Sequence, residues 1–204
     1  MPTSNKTVST IWENLHLVAA RKGNKAAIVS ESGEALTFGE LEEQIGYVVG
    51  RLNACGVSRN ERVAIALLQS PELAVAFLGV ASGATAAPLN PAYKKSDFLF
   101  YLQDLNARAL IVKDGEASLA RDAAQELGIS VLELKGDTSK TGRFELLGNS
   151  ATAEGDTGYA AAEDIGLVLH TSGTTSRPKM VPLSHLNLCA STKHIIETLQ
   201  LSDE

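Results

Sequence analysis

Apolar and polar positions alternate along this chain in helical and strand periods, and they predict a repeating succession of the two elements. Leu41, Ile45 and Val48 share one helix face, whereas Val63 and Ile65 alternate with alanines as in a buried strand. The same criteria predict strands over residues 26–29, 62–68, 84–89, 109–113, 130–134 and 165–169, and helices that begin near Thr10, Thr37, Ser70, Ser96, Ser118 and Ser184. Such alternation indicates an α/β fold, with a parallel or mixed sheet covered by helices on both faces.

Capping residues mark several of these helix ends. Thr37 precedes Glu40 by three residues, which is the spacing of a capping box. Ser70 is followed by Pro71, at a helical position that needs no amide donor. Gly56 supplies a left-handed residue for the end of the helix that begins at Thr37.

The pattern weakens over residues 135–163, where Gly, Ser, Thr and Ala dominate and apolar periodicity is poor. We interpret this segment as a long excursion or insertion, and as the main boundary between two regions of the chain. It separates the earlier helices and strands from a final region, residues 164–204.

Composition excludes several classes of protein. Hydrophobic residues make up 44% of the chain and charged residues 21%, a balance typical of globular proteins rather than disordered ones. A formal net charge of -6 disfavours broad binding to nucleic acid or to an anionic membrane, but it leaves room for one local anionic ligand. Residues 73–93 carry no charge, yet Gly83 and a proline-containing turn interrupt them, which favours a buried core over a membrane span.

Cysteine usage and the start of the chain point to a reducing compartment. Cys55 and Cys189 are far apart and form no CxxC pair, so we expect free thiols and no thiolate zinc site. The first residues have no apolar run behind a basic end, and they do not form a secretory signal.

Residues 169–179 carry the chemistry of this sequence, because they place hydroxyls and a glycine between an apolar strand and a lysine. Hydroxyls and successive backbone amides of such a turn bind phosphate oxygens, and Lys179 adds a point charge suited to a β- or γ-phosphate. A hydroxyl, which we assign to Thr175, can also hold Mg²⁺ beside that phosphate. The predicted ligands of the nucleotide are Thr171, Ser172, Gly173, Thr174, Thr175, Ser176 and Lys179.

Two common nucleotide-binding motifs are excluded. A Walker A loop requires glycine before its lysine and a hydroxyl after it, whereas Pro178 precedes Lys179 and Met180 follows it. The sequence also lacks GxGxxG, which excludes the Rossmann fingerprint.

The segment resembles the phosphate-binding signature of the acyl-adenylate-forming (AMP-binding) superfamily, [ST]-S-G-[ST]-T-[GS]-x-P-K-G, found in acyl-CoA synthetases, luciferases and adenylation domains of peptide synthetases. Residues 36–41, 56–64 and 87–93 are similar to other family segments in order and spacing. Together with residues 181–188, the loop looks most like the oxalate–CoA ligase branch, which is similar to peroxisomal CoA synthetases.

The resemblance implies that residues 1–204 are the N-terminal part of an AMP-binding domain, with the fold of the N-terminal subdomain of an adenylate-forming enzyme. It implies an ATP-dependent acid–CoA ligase that uses ATP, Mg²⁺, coenzyme A and a small carboxylic acid, with oxalate as the candidate. In that family the catalytic lysine belongs to a C-terminal domain absent from this sequence, so the chain contributes no catalytic residue and should be inactive as a ligase alone. The compartment would be the cytosol or the peroxisome, and the isolated chain could self-associate through an uncovered apolar face.

An alternative hypothesis remains open. The chain could be a stand-alone module that binds nucleotide or pyrophosphate without catalysis, or one that only interacts with a partner.

Several residues near the loop need separate interpretation. Ser176 stands where most family members have glycine, and Met180 replaces the glycine after the lysine; a positive φ at Met180 would cost about 1–2 kcal/mol. His170 ends a strand, so we predict a hydrogen-bonded structural residue rather than a base. For His185 and His194 we expect no metal, and Arg177 is either solvated or in contact with a phosphate.

Overall fold

The computed structural model describes residues 8–171 and 178–201, which form nine strands and six helices. In chain order these are α1 (Ile11–Lys22), β1 (Ala26–Val29), β2 (Ala35–Thr37), α2 (Phe38–Ala54), β3 (Arg62–Ala66), α3 (Pro71–Gly83), β4 (Thr85–Pro88), α4 (Lys95–Asp104), β5 (Ala109–Lys113), α5 (Leu119–Glu126), β6 (Ser130–Gly136), β7 (Phe144–Leu147), β8 (Ile165–Thr171), β9 (Lys179–Ser184) and α6 (His185–Leu199). The helices and strands alternate as the sequence pattern predicts.

A seven-stranded sheet with the order β7-β6-β5-β3-β4-β8-β9 forms the centre of the molecule. Its five inner strands are parallel, and the outer strands β7 and β9 each pair antiparallel with their neighbours. Strands β1 and β2 form a separate antiparallel pair. The predicted fold class, a mixed sheet with helices on both faces, is confirmed.

Two apolar cores cover the faces of this sheet. Along β3, Val63 and Ile65 pack with α2 and α3, whereas Ala64 and Ala66 pack with α4 and α5. Successive strand residues point to opposite faces, so one short strand contributes to both cores. Helices α2 and α3 lie in close contact, because a Cβ atom added at Gly79 would come within 2.7 Å of Val48.

The predicted helix ends are present. The Thr37 hydroxyl accepts a hydrogen bond from the Glu40 amide at 3.3 Å, and the Glu40 carboxylate accepts one from the Thr37 amide at 3.0 Å. Ser70 caps α3, whose first residue is Pro71. Gly56 follows α2 with a φ of 81°. These signals were predictable because each is local in sequence.

Residues 135–163 differ from the predicted excursion, because residues 144–147 form the edge strand β7 on β6. Polar side chains of α2 fasten this strand: the Gln44 amide donates to the Phe144 carbonyl at 2.8 Å, and the Arg51 guanidinium donates to the Leu146 carbonyl at 3.1 Å. Two carbonyls of β7 thus accept hydrogen bonds from side chains about a hundred positions earlier in the chain. Strands β2 and β9 were also not predicted.

The uncharged stretch 73–93 forms α3, β4 and the turn after β4, and much of it is buried. None of the helices within the described ranges has both the length and the apolar character needed to cross a membrane.

Candidate functional site

The β8–β9 hairpin brings together the two predicted ligands that the structure describes. In its ladder Thr171 pairs with Lys179, and His170 pairs with Met180. The Thr171 hydroxyl donates to the Lys179 carbonyl at 3.4 Å. We call these two residue pairs the loop stem. The other predicted ligands, Ser172, Gly173, Thr174, Thr175 and Ser176, lie outside the described residues, as does Arg177.

Thr171 and Lys179 are both exposed to solvent at the end of the hairpin. Lys179 forms no ion pair with any residue in the described ranges. An exposed ammonium beside a hydroxyl can therefore meet an anionic ligand without first breaking a salt bridge.

Met180 does not bear the strain that a required positive φ would impose. It lies within β9, paired with His170, and packs partly buried against the core under α4. The described non-glycine residues with positive φ are Asn60, Asn106 and Gln200. A strand position accepts methionine without backbone strain, so the condition for that cost, a positive φ at Met180, is not met.

His170 is tied to helix α4. Its Nε2 lies 2.9 Å from the Asp104 carboxylate, and its side chain is only 8% exposed. The Tyr101 ring stands edge-on to the imidazole, with ring centroids 4.8 Å apart. The structure thus agrees with a hydrogen-bonded structural role for His170. Asp104 and Tyr101 were not identified from the sequence, because they lie far from His170 along the chain.

The turn after β4 reaches the same edge of the sheet. Strands β4 and β8 are parallel neighbours, so their carboxyl ends meet at one edge. The Asn90 side chain accepts a hydrogen bond from the Ala92 amide at 3.0 Å and shapes this turn. Tyr93 follows and stacks on Tyr101 with ring centroids 5.0 Å apart. Two segments singled out from the sequence, residues 87–93 and the loop stem, are thereby joined through Tyr101.

Burial governs the ionisation of Tyr101. Burial raises the pKa of its hydroxyl, and a hydrogen bond to Tyr93 raises it further. Tyr101 is therefore a neutral packing residue at physiological pH, not a base.

A buried histidine of α6 packs beside the other end of β8. His185 is fully buried at the start of α6, and its Nδ1 accepts a hydrogen bond from the Ile11 amide at 3.2 Å. Burial lowers the pKa of its imidazole, and the nearby Asp164 charge and the Ala81 backbone oppose that shift only in part. His185 is thus a neutral structural residue. Within the described ranges, no three His, Cys, Asp or Glu side chains come together as a metal site.

Comparison with known proteins gives a consistent result. The family model described as AMP-binding enzyme matches residues 15–204. The oxalate–CoA ligase of Saccharomyces cerevisiae is 33% identical, with 98% of this chain and 42% of that protein covered. The oxalate–CoA ligase of Arabidopsis thaliana is 36% identical, with 97% of this chain and 38% of that protein covered. The chain thus spans about two fifths of the length of these relatives.

Solved structures agree with this result. Apo MatB from Rhodopseudomonas palustris is similar with a TM-score of 0.77 and 25% identity, covering 95% of this chain and 38% of that one. ATP-bound MatB from the same organism gives a TM-score of 0.74 and 26% identity, covering 93% of this chain and 37% of that one. The likeness extends over nearly every element described above.

Proposed function

Because this chain belongs to the AMP-binding enzyme family, we propose that it is the N-terminal part of an ATP-dependent acid–CoA ligase and carries the loop that holds the triphosphate. The observation that carries this proposal is the loop stem, which sets the Thr171 hydroxyl and the exposed Lys179 side by side at the carboxyl edge of the sheet. The similarity to ATP-bound MatB supports ATP as the nucleotide.

The proposed reaction has two steps. A carboxylate oxygen of the acid attacks the α-phosphorus of ATP, and the bond to the β-phosphate breaks, which gives an acyl-adenylate and pyrophosphate. The coenzyme A sulfur, as thiolate, then attacks the acyl carbon and displaces AMP, which leaves a thioester. Adenylation is needed because a free carboxylate is a poor electrophile.

Within this chain, the proposed role is electrostatic. The hydroxyls and amides of residues 171–176 would bind the phosphate oxygens, and the Lys179 ammonium would stabilise the charge that grows on the departing pyrophosphate. Mg²⁺ would arrive with ATP and neutralise part of the same charge, with the Thr175 hydroxyl as its ligand from this chain.

We propose oxalate as the acid, because two similar proteins are oxalate–CoA ligases from a yeast and a plant. Cytosol and peroxisome are the proposed compartments, and the location of a fluorescent fusion of the whole protein distinguishes them.

Pyrophosphate–ATP exchange tests the function in the complete enzyme that carries this chain. Oxalate should support exchange, and malonate and acetate serve as comparison acids. Exchange with another acid but not with oxalate would overturn only the choice of substrate. Absence of exchange with all small acids would overturn the ligase proposal.

Calorimetry separates the ligase from a stand-alone binding module. MgATP is titrated into the same protein in parallel with the exchange assay. MgATP binding without exchange for any acid would favour the module that binds nucleotide without catalysis.

A further inference from the structure

We propose that Asp104 and His170 form a hydrogen-bonded pair that positions the loop stem, and with it Thr171 and Lys179, for the polyphosphate of ATP. This inference rests on the proposed function and adds two positioning residues to it. Neither residue belongs to the loop motif itself, and Asp104, the last residue of α4, precedes His170 by 66 residues.

The ladder of the hairpin connects the pair to the ligands. His170 and Met180 are directly opposite each other, as are Thr171 and Lys179. Opposite residues of an antiparallel pair point to the same side, and successive residues point to opposite sides. Holding His170 and Met180 against α4 therefore turns Thr171 and Lys179 toward the other face of the hairpin.

Two contacts attach the hairpin to α4. The apolar one is Met180, which packs on the core that contains Phe98 and Leu102 of α4. The polar one is the hydrogen bond between Asp104 and His170. A hydrogen bond to a carboxylate is directional, so it fixes the orientation of the imidazole as well as its distance from α4.

The position of Asp104 within α4 supports a role outside the helix. It is the last residue of α4, where the partial negative charge of the helix terminus disfavours a carboxylate. The helix itself does not gain from an acidic side chain at this place. The favourable contact of Asp104 is the imidazole Nε2–H of His170, which donates to the carboxylate at 2.9 Å.

Tyr101 and Tyr93 support the pair from the side. Tyr101 lies one helical turn before Asp104 and contacts the imidazole edge-on, and Tyr93 stacks on Tyr101 from the turn after β4. His170 is thus held by a carboxylate at Nε2 and by a T-shaped contact with the Tyr101 ring. Because its side chain is 8% exposed and Nε2 is already bonded, His170 orients the stem rather than exchanging protons with substrate.

Steady-state kinetics of the complete enzyme test the pair. The test variants are Asp104→Ala, Asp104→Asn, His170→Phe and the double variant Asp104→Ala/His170→Phe. The matched control is Glu126→Ala, which breaks the Lys95–Glu126 ion pair of 2.7 Å between α4 and α5, away from the stem. We expect Asp104→Ala to raise KM for ATP about fivefold, the effect of one hydrogen bond, while KM for the acid stays unchanged.

The variants also test each other. Asp104→Asn should return most of the affinity for ATP, because its amide oxygen still accepts from the imidazole. The double variant should raise KM for ATP no more than either single change, since both remove the same bond. Glu126→Ala should leave KM for ATP at the wild-type value.

Amide hydrogen exchange measures positioning without relying on activity. Asp104→Ala should speed exchange at residues 170–171 and 179–180, and Glu126→Ala should not. Equal amide hydrogen exchange in Asp104→Ala and Glu126→Ala would overturn the positioning role. A lowered melting temperature of Asp104→Ala with an unchanged KM for ATP would also overturn it. If the wild-type enzyme shows normal pyrophosphate–ATP exchange and Asp104→Ala leaves KM for ATP unchanged, this inference alone is refuted. If the wild-type enzyme shows neither pyrophosphate–ATP exchange nor MgATP binding, the proposed function and this inference are refuted together.

Discussion

The two ends of β8 are built in opposite ways. Before its first residue, Asp164 is 7% exposed and accepts hydrogen bonds of 2.7 Å from Arg59, Asn60 and the Ala161 amide. At its last residue, Thr171 and its partner Lys179 are exposed, and Leu169 just before them is 40% exposed. At the closed end the Asp164 carboxylate is satisfied within the protein, whereas the open end exposes Thr171 and Lys179 to solvent. A strand held firmly at one end can thus expose the proposed binding groups at the other.

Packing reinforces the closed end. A Cβ atom added at Gly166 would lie 3.1 Å from Nε2 of the buried His185, so β8 and α6 leave no spare space there. The backbone amide of His185 donates to the Asp164 carbonyl at 3.0 Å, which joins both buried groups into one unit.

The largest effect is expected from removal of the carboxylate at the closed end. Asp164→Ala leaves the Arg59 guanidinium and the Asn60 amide without their acceptor, and should lower the free energy of unfolding by about 3 kcal/mol. Urea denaturation measures this change. The control is Asp156→Ala, since Asp156 is 84% exposed and 3.8 Å from the same guanidinium, and it should have little effect. Equal destabilisation by the two variants would contradict the comparison.

Acidification should lower the stability of the closed end of β8. Burial lowers the pKa of His185, so the unfolded state binds its proton more readily than the folded state. The free energy of unfolding should therefore fall as pH drops below about 6.5, the ordinary pKa of histidine, and down to the lowered folded pKa. Denaturation at a series of pH values in this window measures the slope.

His185→Asn should flatten this slope, because the asparagine oxygen can accept from the Ile11 amide but does not titrate. His194→Ala is the control, since His194 lies exposed on α6, and it should keep the slope. An unchanged slope in His185→Asn would show that other groups cause it.

At lower pH the Asp164 carboxyl adds a second loss of stability. Burial alone would raise the pKa of Asp164, but the hydrogen bonds from Arg59, the Ala161 amide and Asn60 outweigh burial and lower it. Its contribution is present above the ordinary pKa of about 3.9 and is lost as pH falls through the lower folded value. Asp164→Asn should remove this second phase, which acid titration followed by circular dichroism can detect.

The smallest effect on stability is expected at the open end. Lys179→Ala removes an exposed side chain with no ion pair to the described residues, so the free energy of unfolding should change by less than about 0.5 kcal/mol. The same urea denaturation measures this change. A loss comparable to that of Asp164→Ala would mean that the open end is also structural.

The sequence correctly predicted features that depend on residues close together along the chain. The capping box of Thr37 and Glu40 and the left-handed Gly56 depend on neighbours within a few residues, and all are present. The fold class followed from alternating helix and strand patterns for the same reason.

Features made by distant residues could not be predicted in this way. Strand β7 is completed by side chains of α2, and the Asp104 partner of His170 lies on another element. Strand β9 contains Pro182 and has no fully buried residue, so it lacks the alternation that marks a strand. The sequence alone left open whether Met180 adopts a positive φ, because the register that places it in β9 was not known.

The most direct test of the central claim is the rate of pyrophosphate–ATP exchange in Lys179→Ala, measured in the complete enzyme beside Lys193→Ala. Lys193 is 74% exposed on α6 and serves as a matched loss of one ammonium group. We predict that Lys179→Ala lowers the exchange rate about 100-fold, as for loss of one group that stabilises transition-state charge, and that Lys193→Ala leaves it unchanged. Equal rates in Lys179→Ala and the wild type would contradict the assignment of this hairpin as the site that holds the triphosphate.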